Sequence, residues 1–488
     1  MAFIERAEQL LIGRVTFPFT NYLLNRRGIL ARYDELRRSE RSTPEEMRGL
    51  QLRKLQQLIA FVYERVPFYT TRFKALGLLP GDIRSLEDLS KIPPLGRQDV
   101  IDHRNALVDR MLDGSRDRAD RSLRGPGEPI PFAPFRRDRL VRNTSSGSTG
   151  APTVFYEDGS RTALNWVHEL RLKSWFGNLP GAREARMVRL STEYLPKSRV
   201  LRLRNRLWNQ LILPGVNLTD RDYAVCVEKL DRFRPRTLWG FTSALAGFAD
   251  YLQRNSIDPA PWGIRVVVGW AAPVYDHERR ILAEVFGCPV SNIYGAREVG
   301  HVAGQCPAGS YHINQENLLV ERDDDAEASA GGGREAGEIL VTTLDISPMP
   351  FIRYRMGDIG RVTPSACGCG RTLPVLEEFL GRTGEIYRTR DGRMISPNFW
   401  CRTFMNVRLA GAIRRFQVVY MNDHAMRIKI VKNGSYTEAT ERVLADHLRK
   451  NFPPDMEVAF EYVPEIPPQI SGKYQMVVNA MENSVNHR

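Results

Sequence analysis

The stretch Ser145-Ser146-Gly147-Ser148-Thr149-Gly150-Ala151-Pro152-Thr153 places hydroxyl side chains, two glycines and a proline within nine consecutive residues. Glycines allow the backbone to adopt positive φ angles and to approach a ligand closely. Free N–H groups and hydroxyls then offer hydrogen-bond donors to phosphate oxygens. The stretch is not a Gly-x-x-x-x-Gly-Lys-Ser/Thr loop, because Ala151 follows Gly150. It therefore predicts either a loop that wraps a polyphosphate or a polar turn before the strand at 154–156.

The segments on either side of this loop indicate the fold class. Strand patterns at 186–190, 237–241 and 264–269 alternate with helical patterns at 160–175, 201–212, 220–232, 243–255 and 276–286. Strands that alternate with helices predict an α/β fold with a parallel sheet. Ligands of such sheets bind at the carboxyl ends of the strands, so Phe241-Thr242-Ser243 is expected to lie near a binding site.

The pattern at the two ends of the chain differs from that of the middle. Residues 1–75 show apolar residues at helical spacing, with a helix start predicted at Ser42 or Thr43. An acidic, glycine-rich segment at 323–337 predicts a hairpin loop or an insertion. From 381 the pattern restarts with short strands and helices. We therefore expect an N-terminal domain at 1–380, with 1–75 as a helical lead-in, and a small α+β domain at 381–488.

Composition narrows the class of protein. The chain has 488 residues, 70 Lys plus Arg against 57 Asp plus Glu, and a formal net charge of +13. Six cysteines in so long a chain do not indicate a disulfide framework, and the sequence has no run of 18 uncharged apolar residues. Together with a first segment unlike a signal peptide, these features predict a cytoplasmic enzyme. The charge permits anionic partners, but without a nucleic-acid-binding motif we do not expect nucleic acid as the main partner.

The first apolar stretch is flanked by basic residues, at Arg6, Arg14, Arg26, Arg27 and Arg32. A basic amphipathic helix can lie on a membrane surface. The alternative is a helix that packs on its own domain and exposes a solvated basic face. The sequence favours the packed helix, with at most a peripheral membrane contact.

Two strand-end motifs could contact a nucleotide. In Tyr294-Gly295-Ala296-Arg297-Glu298, the tyrosine can stack on a ring and the glutamate can hold Mg²⁺. The alternative is an ordinary strand and turn with a solvent-exposed Glu298. In the motif at 353–360, Asp358 past a turn could accept hydrogen bonds from both hydroxyls of a ribose. The alternative there is an arginine–aspartate ion pair on a hairpin.

Two glycine-containing motifs lie in or near the C-terminal part. Gly381-Arg382-Thr383-Gly384-Glu385 predicts either a hinge or an ordinary linker. In Pro468-Gln469-Ile470-Ser471-Gly472-Lys473, the lysine could bring a compact positive charge to an anionic centre. The alternative is a lysine on the surface near the end of the chain.

Cysteine and histidine residues suggest a metal site. Cys367-Gly368-Cys369 brings two thiols into one turn, and Cys306 lies six residues before His312. Three cysteines and one histidine match a closed structural zinc site. Reduced cysteines without a metal are the alternative, and no cysteine stands in the sequence context of a catalytic nucleophile.

Taken in order, these motifs resemble those of the adenylate-forming superfamily, which includes acyl-CoA synthetases and ligases. The loop at 145–153 is similar to the superfamily's phosphate loop, and later matches are Tyr294-Gly295-x-x-Glu298, Arg355-x-Gly357-Asp358, Gly381-Arg382 and Gly472-Lys473. Within the superfamily the chain resembles the phenylacetate-CoA ligase-like branch, especially its capsular-polysaccharide-biosynthesis relatives. That likeness is carried by Val66-Pro67-Phe68-Tyr69, Ser85-Leu86-Glu87-Asp88-Leu89, His312-Ile313-Asn314, Arg353-Tyr354-Arg355 and the Cys-x-Cys-Gly-Arg turn at 367–371.

The resemblance implies a large N-terminal α/β domain with an ATP site and a small, mobile α+β C-terminal domain. It implies that an acid is activated as its acyl-adenylate with release of pyrophosphate. The implied nucleotide-binding set is Ser145, Ser146, Gly147, Ser148, Thr149, Gly150, Tyr294, Gly295 and Asp358, with Ser148 and Thr149 on the phosphates and Asp358 on the ribose. The implied catalytic set is Glu298 on Mg²⁺, Arg382 near ribose or phosphate, and Lys473 on the α-phosphate and the substrate carboxylate. The branch often carries zinc at Cys306, His312, Cys367 and Cys369.

Three departures from the family pattern concern the phosphate loop, the acid pocket and the hinge. Ala151 stands where the loop often has lysine, and Ala272 stands before Pro273 where the branch often has glutamate. Either Gly384 or Glu385 could occupy the position of the usual acidic hinge residue.

The aromatic residues at predicted strand ends suggest where the acid binds. Trp239, Phe241, Ser243, Trp270, Ala271 and Tyr294 would favour an aromatic or otherwise apolar acid. The first hypothesis is transfer of the acyl group to a thiol, in particular CoA. The second is transfer to an amine or hydroxyl, for instance on a sugar or an amino acid, and the third is a non-catalytic binding protein on this scaffold. The sequence does not predict the acid, the acceptor or the oligomeric state.

Overall fold

The computed structural model describes most of the chain at the level of individual residues. The described residues are 7, 9–17, 19, 28–112, 140–145, 153–188, 199–216, 218–323, 337–364, 367–382, 387–388, 394–395, 397–405, 412–422, 424–467 and 476–480. None of the helices within these ranges is long and apolar enough to cross a membrane.

The N-terminal part is helical, as the spacing of apolar residues predicts. A π-helical turn spans Ile12–Thr16, and it is followed by α1 (Ile29–Ser39), α2 (Pro44–Arg65), α3 (Pro67–Ala75) and α4 (Arg97–Asp102). Helix α2 begins at the predicted place because the Thr43 hydroxyl accepts a hydrogen bond from the backbone N–H of Glu46, whose carboxylate accepts one from the Thr43 N–H. The buried face of α2 joins the core beneath the large sheet.

The loop at 145–153 connects two short strands. Strand β1 (Val141–Thr144) pairs antiparallel with β2 (Val154–Glu157), with Thr144 opposite Val154. Helix α5 (Gly159–Trp175) follows β2, and the Asp158 carboxylate caps it by accepting a hydrogen bond from the Ser160 N–H. The hairpin and the helix therefore fix both ends of the loop.

A parallel half-sheet forms the centre of the molecule. Strand β3 (Glu184–Val188) is followed by α6 (Arg199–Leu207), β4 (Gln210–Pro214), α7 (Asp220–Phe233), β5 (Thr237–Phe241), α8 (Thr242–Arg254), β6 (Val266–Trp270), α9 (Asp276–Phe286) and β7 (Val290–Ala296). Neighbouring strands β4-β3-β5-β6-β7 pair in parallel. The predicted α/β fold with a parallel sheet is therefore confirmed.

The helix predicted at 201–212 is too long at its C-terminal end. The helical pattern at 201–212 stops at Leu207 in the structure, and residues 210–214 form β4 at the edge of the sheet. The change occurs at Asn209, which has a φ of 51° and so cannot continue a right-handed helix. Asparagine tolerates this left-handed conformation better than most residues, which explains a break without glycine or proline.

The sheet continues beyond β7 with antiparallel strands. These are β8 (Gly300–Gln305), β9 (Tyr311–Ile313), β10 (Leu318–Asp323), β11 (Gly337–Thr343), β12 (Tyr354–Thr363) and β13 (Val375–Arg382). The spatial order is β10-β11-β12-β13-β9-β8-β7-β6-β5-β3-β4, which makes an 11-stranded mixed sheet. Because β10 pairs antiparallel with β11, the acidic segment at 323–337 connects two strands of a hairpin, as predicted.

The C-terminal part has its own sheet and core. It contains β14 (Tyr387–Arg388), β15 (Met394–Ile395), α10 (Pro397–Met405), β16 (Ile413–Asn422), β17 (Ala425–Lys432), α11 (Glu438–Asn451), β18 (Glu457–Tyr462) and β19 (Val477–Asn479). Strands β18-β17-β16-β19 form one sheet, and Trp400, Phe404, Tyr420 and Leu444 belong to its buried core. Residues 381–382 belong to β13 of the large sheet, immediately before this part begins.

Candidate active site

Both ends of the 145–153 loop are tied together. The backbone N–H of Ser145 donates to the carbonyl oxygen of Thr153 at 2.9 Å, and the Thr153 N–H donates to Oγ of Ser145 at 3.0 Å. Nε of Arg97 donates to the Thr153 hydroxyl at 3.0 Å, which joins α4 to the same point. Ser146, Gly147, Ser148, Thr149 and Gly150 lie outside the described residues. The described part of the loop therefore gives its anchors and its position beside β2.

The Tyr294–Glu298 motif approaches these anchors. Nη1 of Arg297 donates to the carbonyl oxygen of Thr144 at 2.8 Å, one residue before the loop begins. Gly295 is required here, since a β-carbon would overlap the carbonyl oxygen of Gly300 on the adjacent strand. Gly300 has a φ of +81°, and a β-carbon there would lie 2.6 Å from Oδ1 of Asn165. The close backbone approach holds Tyr294 at the end of the parallel strands.

Tyr294 and Asp358 are far apart in sequence and meet in the structure. The Tyr294 hydroxyl donates a hydrogen bond to Oδ2 of Asp358 at 2.8 Å, although β8, β9 and β13 separate their strands within the sheet. Asp358 also lies opposite Arg382 in the register of β12 and β13. Residues from three sequence motifs therefore come together at one place.

The sequence predicts that Asp358 lies just past a turn, and the structure shows that it does not. It lies inside β12, directly after Gly357, whose φ of +71° bends the strand locally. The neighbouring Arg355 forms ion pairs with Asp323 at 2.7 Å and with Glu338 at 2.5 Å. Arg355 therefore forms an arginine–aspartate ion pair, as the alternative for this motif expected, but its partner is Asp323 of β10 and not Asp358.

Glu298 is buried, so the alternative of a solvent-exposed glutamate is wrong. Glu298 is only 8 % exposed to solvent, and its backbone carbonyl accepts a hydrogen bond from Nη1 of Arg161 at 3.1 Å. Arg161 lies on α5, the helix that follows the anchored loop. A buried carboxylate in the turn between β7 and β8 supplies oxygen ligands of the kind that hold a divalent cation.

The predicted acid-pocket residues lie at the same edge of the sheet. The register aligns Gly240 with Gly269 and Gly269 with Asn292, so Phe241 and Trp270, the last residues of β5 and β6, lie in line with Ile293 of β7. Phe241 and Trp270 are half-buried and meet edge to face at 6.1 Å, and Ala271 has the strained φ of 68° for a residue with a β-carbon. Ser243 lies in the first turn of α8. Trp239 is fully buried and stacks on Trp270 at 5.6 Å.

A buried ion-pair network beneath these rings was missed by the sequence analysis. The guanidinium carbon of Arg186 lies 4.9 Å from the ring centroid of Trp166, 5.0 Å from that of Trp239 and 5.9 Å from that of Trp270. Its Nε donates to Oε1 of Glu184 at 2.8 Å. Burial raises the pKa of Glu184, but Arg186 and Lys173 outweigh it and lower that pKa to about 2. The tryptophans therefore pack on a fixed, charged support.

Glu157 at the end of β2 provides a pH-dependent test of this region. Burial raises its pKa to about 7, against the opposing effects of Arg161 and of a 3.1 Å hydrogen bond from Asn143. Because the folded protein keeps this proton while the unfolded chain loses it near 4.5, the stability of the protein falls as pH rises from about 4.5 to about 7. The stability gained by Glu157→Gln should be larger at high than at low pH, by on the order of 1–3 kcal/mol. Denaturant unfolding at both pH values measures this, with the exposed Glu284→Gln as control, and a gain equal at both would contradict it.

The cysteine and histidine motifs converge at the junction of three strands. Cys306 follows β8, His312 lies on β9, and Cys367 and Cys369 lie in the turn between β12 and β13. Their ligand atoms all lie within 4.8 Å of one another, with 3.6 Å between the sulfurs of Cys306 and Cys367 and 3.1 Å between His312 Nε2 and the sulfur of Cys369. Tetrahedral zinc with ordinary bond lengths requires separations of about 3.5–3.8 Å. The residues therefore fit such a metal.

The surroundings of this cluster also suit a metal site. Nδ1 of His312 lies 3.0 Å from the carbonyl oxygen of Leu373, which leaves Nε2 facing the cysteines. Trp175 packs its ring against His312 at 5.8 Å, and Cys306 and Leu373 belong to the same buried cluster. None of the four residues contributes to the hydrogen bond between Tyr294 and Asp358.

Several other predicted residues cannot be placed. Lys473, Gly384 and Glu385 lie outside the described residues, and the side chain of Arg382 is not described. For Arg382 the structure gives the backbone register opposite Asp358.

The chain is similar to known proteins over most of its length. Residues 387–480 match the family model of the CapK C-terminal domain. The chain is 29 % identical to a phenylacetate-coenzyme A ligase of Thermus thermophilus over 353 residues, which covers 70 % of this chain and 72 % of the relative. It is 20 % identical to the protein CapK of Staphylococcus aureus over 464 residues, which covers 92 % of both chains.

Solved structures show the same fold. A crystal structure of 2-hydroxyisobutyryl-CoA ligase in complex with 2-HIB-AMP superimposes with a TM-score of 0.70 at 18 % identity, covering 92 % of this chain and 93 % of the other. The likeness spans both the large sheet and the C-terminal part. Together with the relatives above, it confirms that the chain resembles the adenylate-forming superfamily, and in particular phenylacetate-CoA ligases and CapK.

Proposed function

We propose that this protein activates a carboxylic acid with ATP as an acyl-adenylate, releases pyrophosphate and then transfers the acyl group to a thiol, that of CoA. The observation that carries the proposal is the hydrogen bond from Tyr294 to Asp358, with Arg382 opposite in register. It joins three of the motifs that the superfamily places around its nucleotide. The named relatives of this chain include phenylacetate-coenzyme A ligases.

The proposed chemistry explains why these residue types are needed. An acid carboxylate attacks the α-phosphorus of ATP, the bond to the β-phosphate oxygen breaks, and pyrophosphate leaves with that electron pair. Two anions must approach, so donors and positive charge at the reacting centre lower the barrier. We assign the N–H groups and hydroxyls at 146–150 to the phosphates and Lys473 to the α-phosphate and the incoming carboxylate.

The remaining residues would hold the nucleotide in place. Asp358 accepts hydrogen bonds from the ribose hydroxyls, Tyr294 orients Asp358 and contacts the nucleotide, and Arg382 neutralises ribose-side phosphate charge. Glu298 would hold Mg²⁺, which when bound offsets charge on the leaving pyrophosphate. Phe241, Trp270 and Ala271 form the wall of the acid pocket, which suits an aryl or other apolar acid.

A second acceptor class has its own support. The similarity to CapK extends over 92 % of both chains, whereas the similarity to the Thermus ligase covers 70 % of this chain. The resemblance to capsular-polysaccharide-biosynthesis proteins motivates, as the alternative, transfer of the acyl group to an amine or hydroxyl of a surface polysaccharide or secondary metabolite. Retention of Glu298 and Asp358 argues against a purely non-catalytic binding protein.

A trapping experiment tests the first step and separates the acceptors. The protein is incubated with ATP, Mg²⁺ and panels of aryl, fatty and amino acids, and hydroxylamine converts any acyl-adenylate to a hydroxamate detected by mass spectrometry. CoA then replaces hydroxylamine. A hydroxamate followed by a CoA thioester supports the proposal. A hydroxamate without a thioester supports the amine or hydroxyl acceptor, and no hydroxamate with any acid supports the binding protein.

We expect Lys473→Ala to decrease adenylate formation by at least about 100-fold, because one positive charge is lost where two anions meet. ATP binding and the melting temperature should stay within experimental error of the wild type. Lys450→Ala, which removes an exposed lysine at the end of α11, is the matched control and should leave the rate unchanged. Equal rates in both variants would remove the role given to Lys473.

We also propose that Cys306, His312, Cys367 and Cys369 hold one structural zinc ion. The support is the mutual distance of their ligand atoms and the orientation of His312 by Leu373. Zinc there would fix the turn at 367–369 to strands β8 and β9. It takes no part in the proposed reaction.

A further inference from the structure

The first described segment of the chain exposes apolar side chains to solvent. Leu11, Val15 and Phe19 are 57 %, 54 % and 60 % exposed, and they follow one another at intervals of four residues on one helical face. Leu10 is 47 % exposed beside them. A helix that merely packs on its own domain turns polar residues outward, so this outward face is the reverse of the expected pattern.

The opposite face of the segment is firmly packed. Ile12 and Phe17 are buried, and Phe17 meets the ring of Trp208 edge to face at 5.5 Å. Gly13 approaches the backbone of Pro180 so closely that a β-carbon would overlap its carbonyl oxygen. The exposed apolar side chains therefore belong to a segment that is packed on the domain through its other face.

Helix α6 lies next to this segment and is strongly basic. The Thr16 hydroxyl donates to the carbonyl oxygen of Leu207 at 2.9 Å, which joins the segment to the end of α6. Helix α6 reads Arg-Val-Leu-Arg-Leu-Arg-Asn-Arg-Leu, with four arginines and no acidic residue. Arg202, Leu203 and Arg206 are exposed, with Leu203 at 59 %. Arg14 adds a further exposed positive charge on the segment itself.

We propose that residues 10–17, Phe19 and α6 form a docking surface for an anionic phospholipid bilayer. Exposed apolar side chains next to an arginine-rich helix match the acyl boundary and the negative headgroups of such a membrane. Charge complementarity favours this partner over a second copy, because two copies would place their own arginines against one another. The surface would seat the enzyme at the membrane while leaving it a peripheral protein. It is independent of the proposed adenylation.

Flotation with lipid vesicles tests the apolar part of the surface. Wild-type protein should float with phosphatidylcholine vesicles that contain phosphatidylglycerol and should stay behind with pure phosphatidylcholine. Leu11→Asp should reduce the bound fraction at least about tenfold, since a charge replaces an inserted leucine. Leu79→Asp is the matched control, because Leu79 is 59 % exposed elsewhere on the protein, and it should bind like the wild type.

Charge reversal tests the basic part. Arg202→Glu should weaken binding to the same vesicles by more than fivefold, and added salt should weaken binding of the wild type. Acyl-adenylate formation without vesicles should be equal in all these variants, so failure of this proposal is distinct from failure of the proposed function. Absence of vesicle binding by the wild type would overturn the proposal, as would equal losses in Leu11→Asp and Leu79→Asp. Light scattering that shows a dimer abolished by Leu11→Asp would also overturn it in favour of self-association.

Discussion

Replacement of Asp358 by alanine is expected to reduce acid-dependent ATP–pyrophosphate exchange at least about 100-fold. The carboxylate is assigned to two ribose hydroxyls, and hydrogen bonds to a charged group are worth about 1.5–3 kcal/mol each. Losing both corresponds to at least two powers of ten in rate. The loss should appear mainly as a higher KM for ATP, because Asp358 is assigned to the ribose and not to the reacting α-phosphate.

Two companion variants make this result specific. Tyr294→Phe removes the 2.8 Å hydrogen bond to Asp358 but keeps the carboxylate, so a decrease of only about three- to tenfold is expected. Asp446→Ala removes an exposed aspartate on α11 and should have no effect. If Asp358→Ala exchanges pyrophosphate like the wild type while remaining folded, Asp358 does not bind the nucleotide.

The second large effect concerns the metal cluster. Purified protein should contain about one zinc ion per chain, and Cys306→Ala should lose it, because a ligand set reduced to three opens a closed structural site. The melting temperature should fall by roughly 5 °C or more, because the free energy of metal binding contributes to the stability of the fold. Chelation of the wild type should lower its melting temperature in the same direction.

Cys288→Ala is the matched control for the metal experiment. Cys288 is also a buried cysteine, but it belongs to the core cluster around Leu282 and Phe286 and not to the cysteine–histidine cluster. It should keep its zinc, with at most a modest loss of stability from the cavity. Wild-type protein that is free of metal and insensitive to chelation would contradict the zinc proposal.

Local signals in the sequence predicted elements whose cause is itself local. Thr43, Pro44 and Glu46 place the start of α2 because the capping contacts lie within one turn. The alternation of apolar strands and helices likewise predicted the parallel half of the sheet. Strand β4 was missed because Leu211-Ile212-Leu213 follows a helical pattern directly, and only the left-handed Asn209 separates the two.

The contacts that assemble the site are not local and could not be predicted in this way. The motif around Asp358 was expected to contain a turn, yet long-range pairing with β11 and β13 makes it a strand. The bond from Tyr294 crosses 64 positions of sequence. Arg186 stood within a predicted strand, but its burial among tryptophans depends on carboxylates from β3 and α5. Family resemblance predicted which residues should meet, and it did not predict these supporting contacts.

Acid-dependent ATP–pyrophosphate exchange is the most direct test of the proposed adenylation. Labelled pyrophosphate, ATP and Mg²⁺ are combined with wild-type protein, with and without each acid of an aryl, fatty and amino acid panel. We predict incorporation of label into ATP with at least one apolar acid, none without acid, and loss of that signal in Asp358→Ala. If the protein is folded and binds ATP, but no acid of the panel leads to incorporation of label into ATP, the proposed adenylation is contradicted.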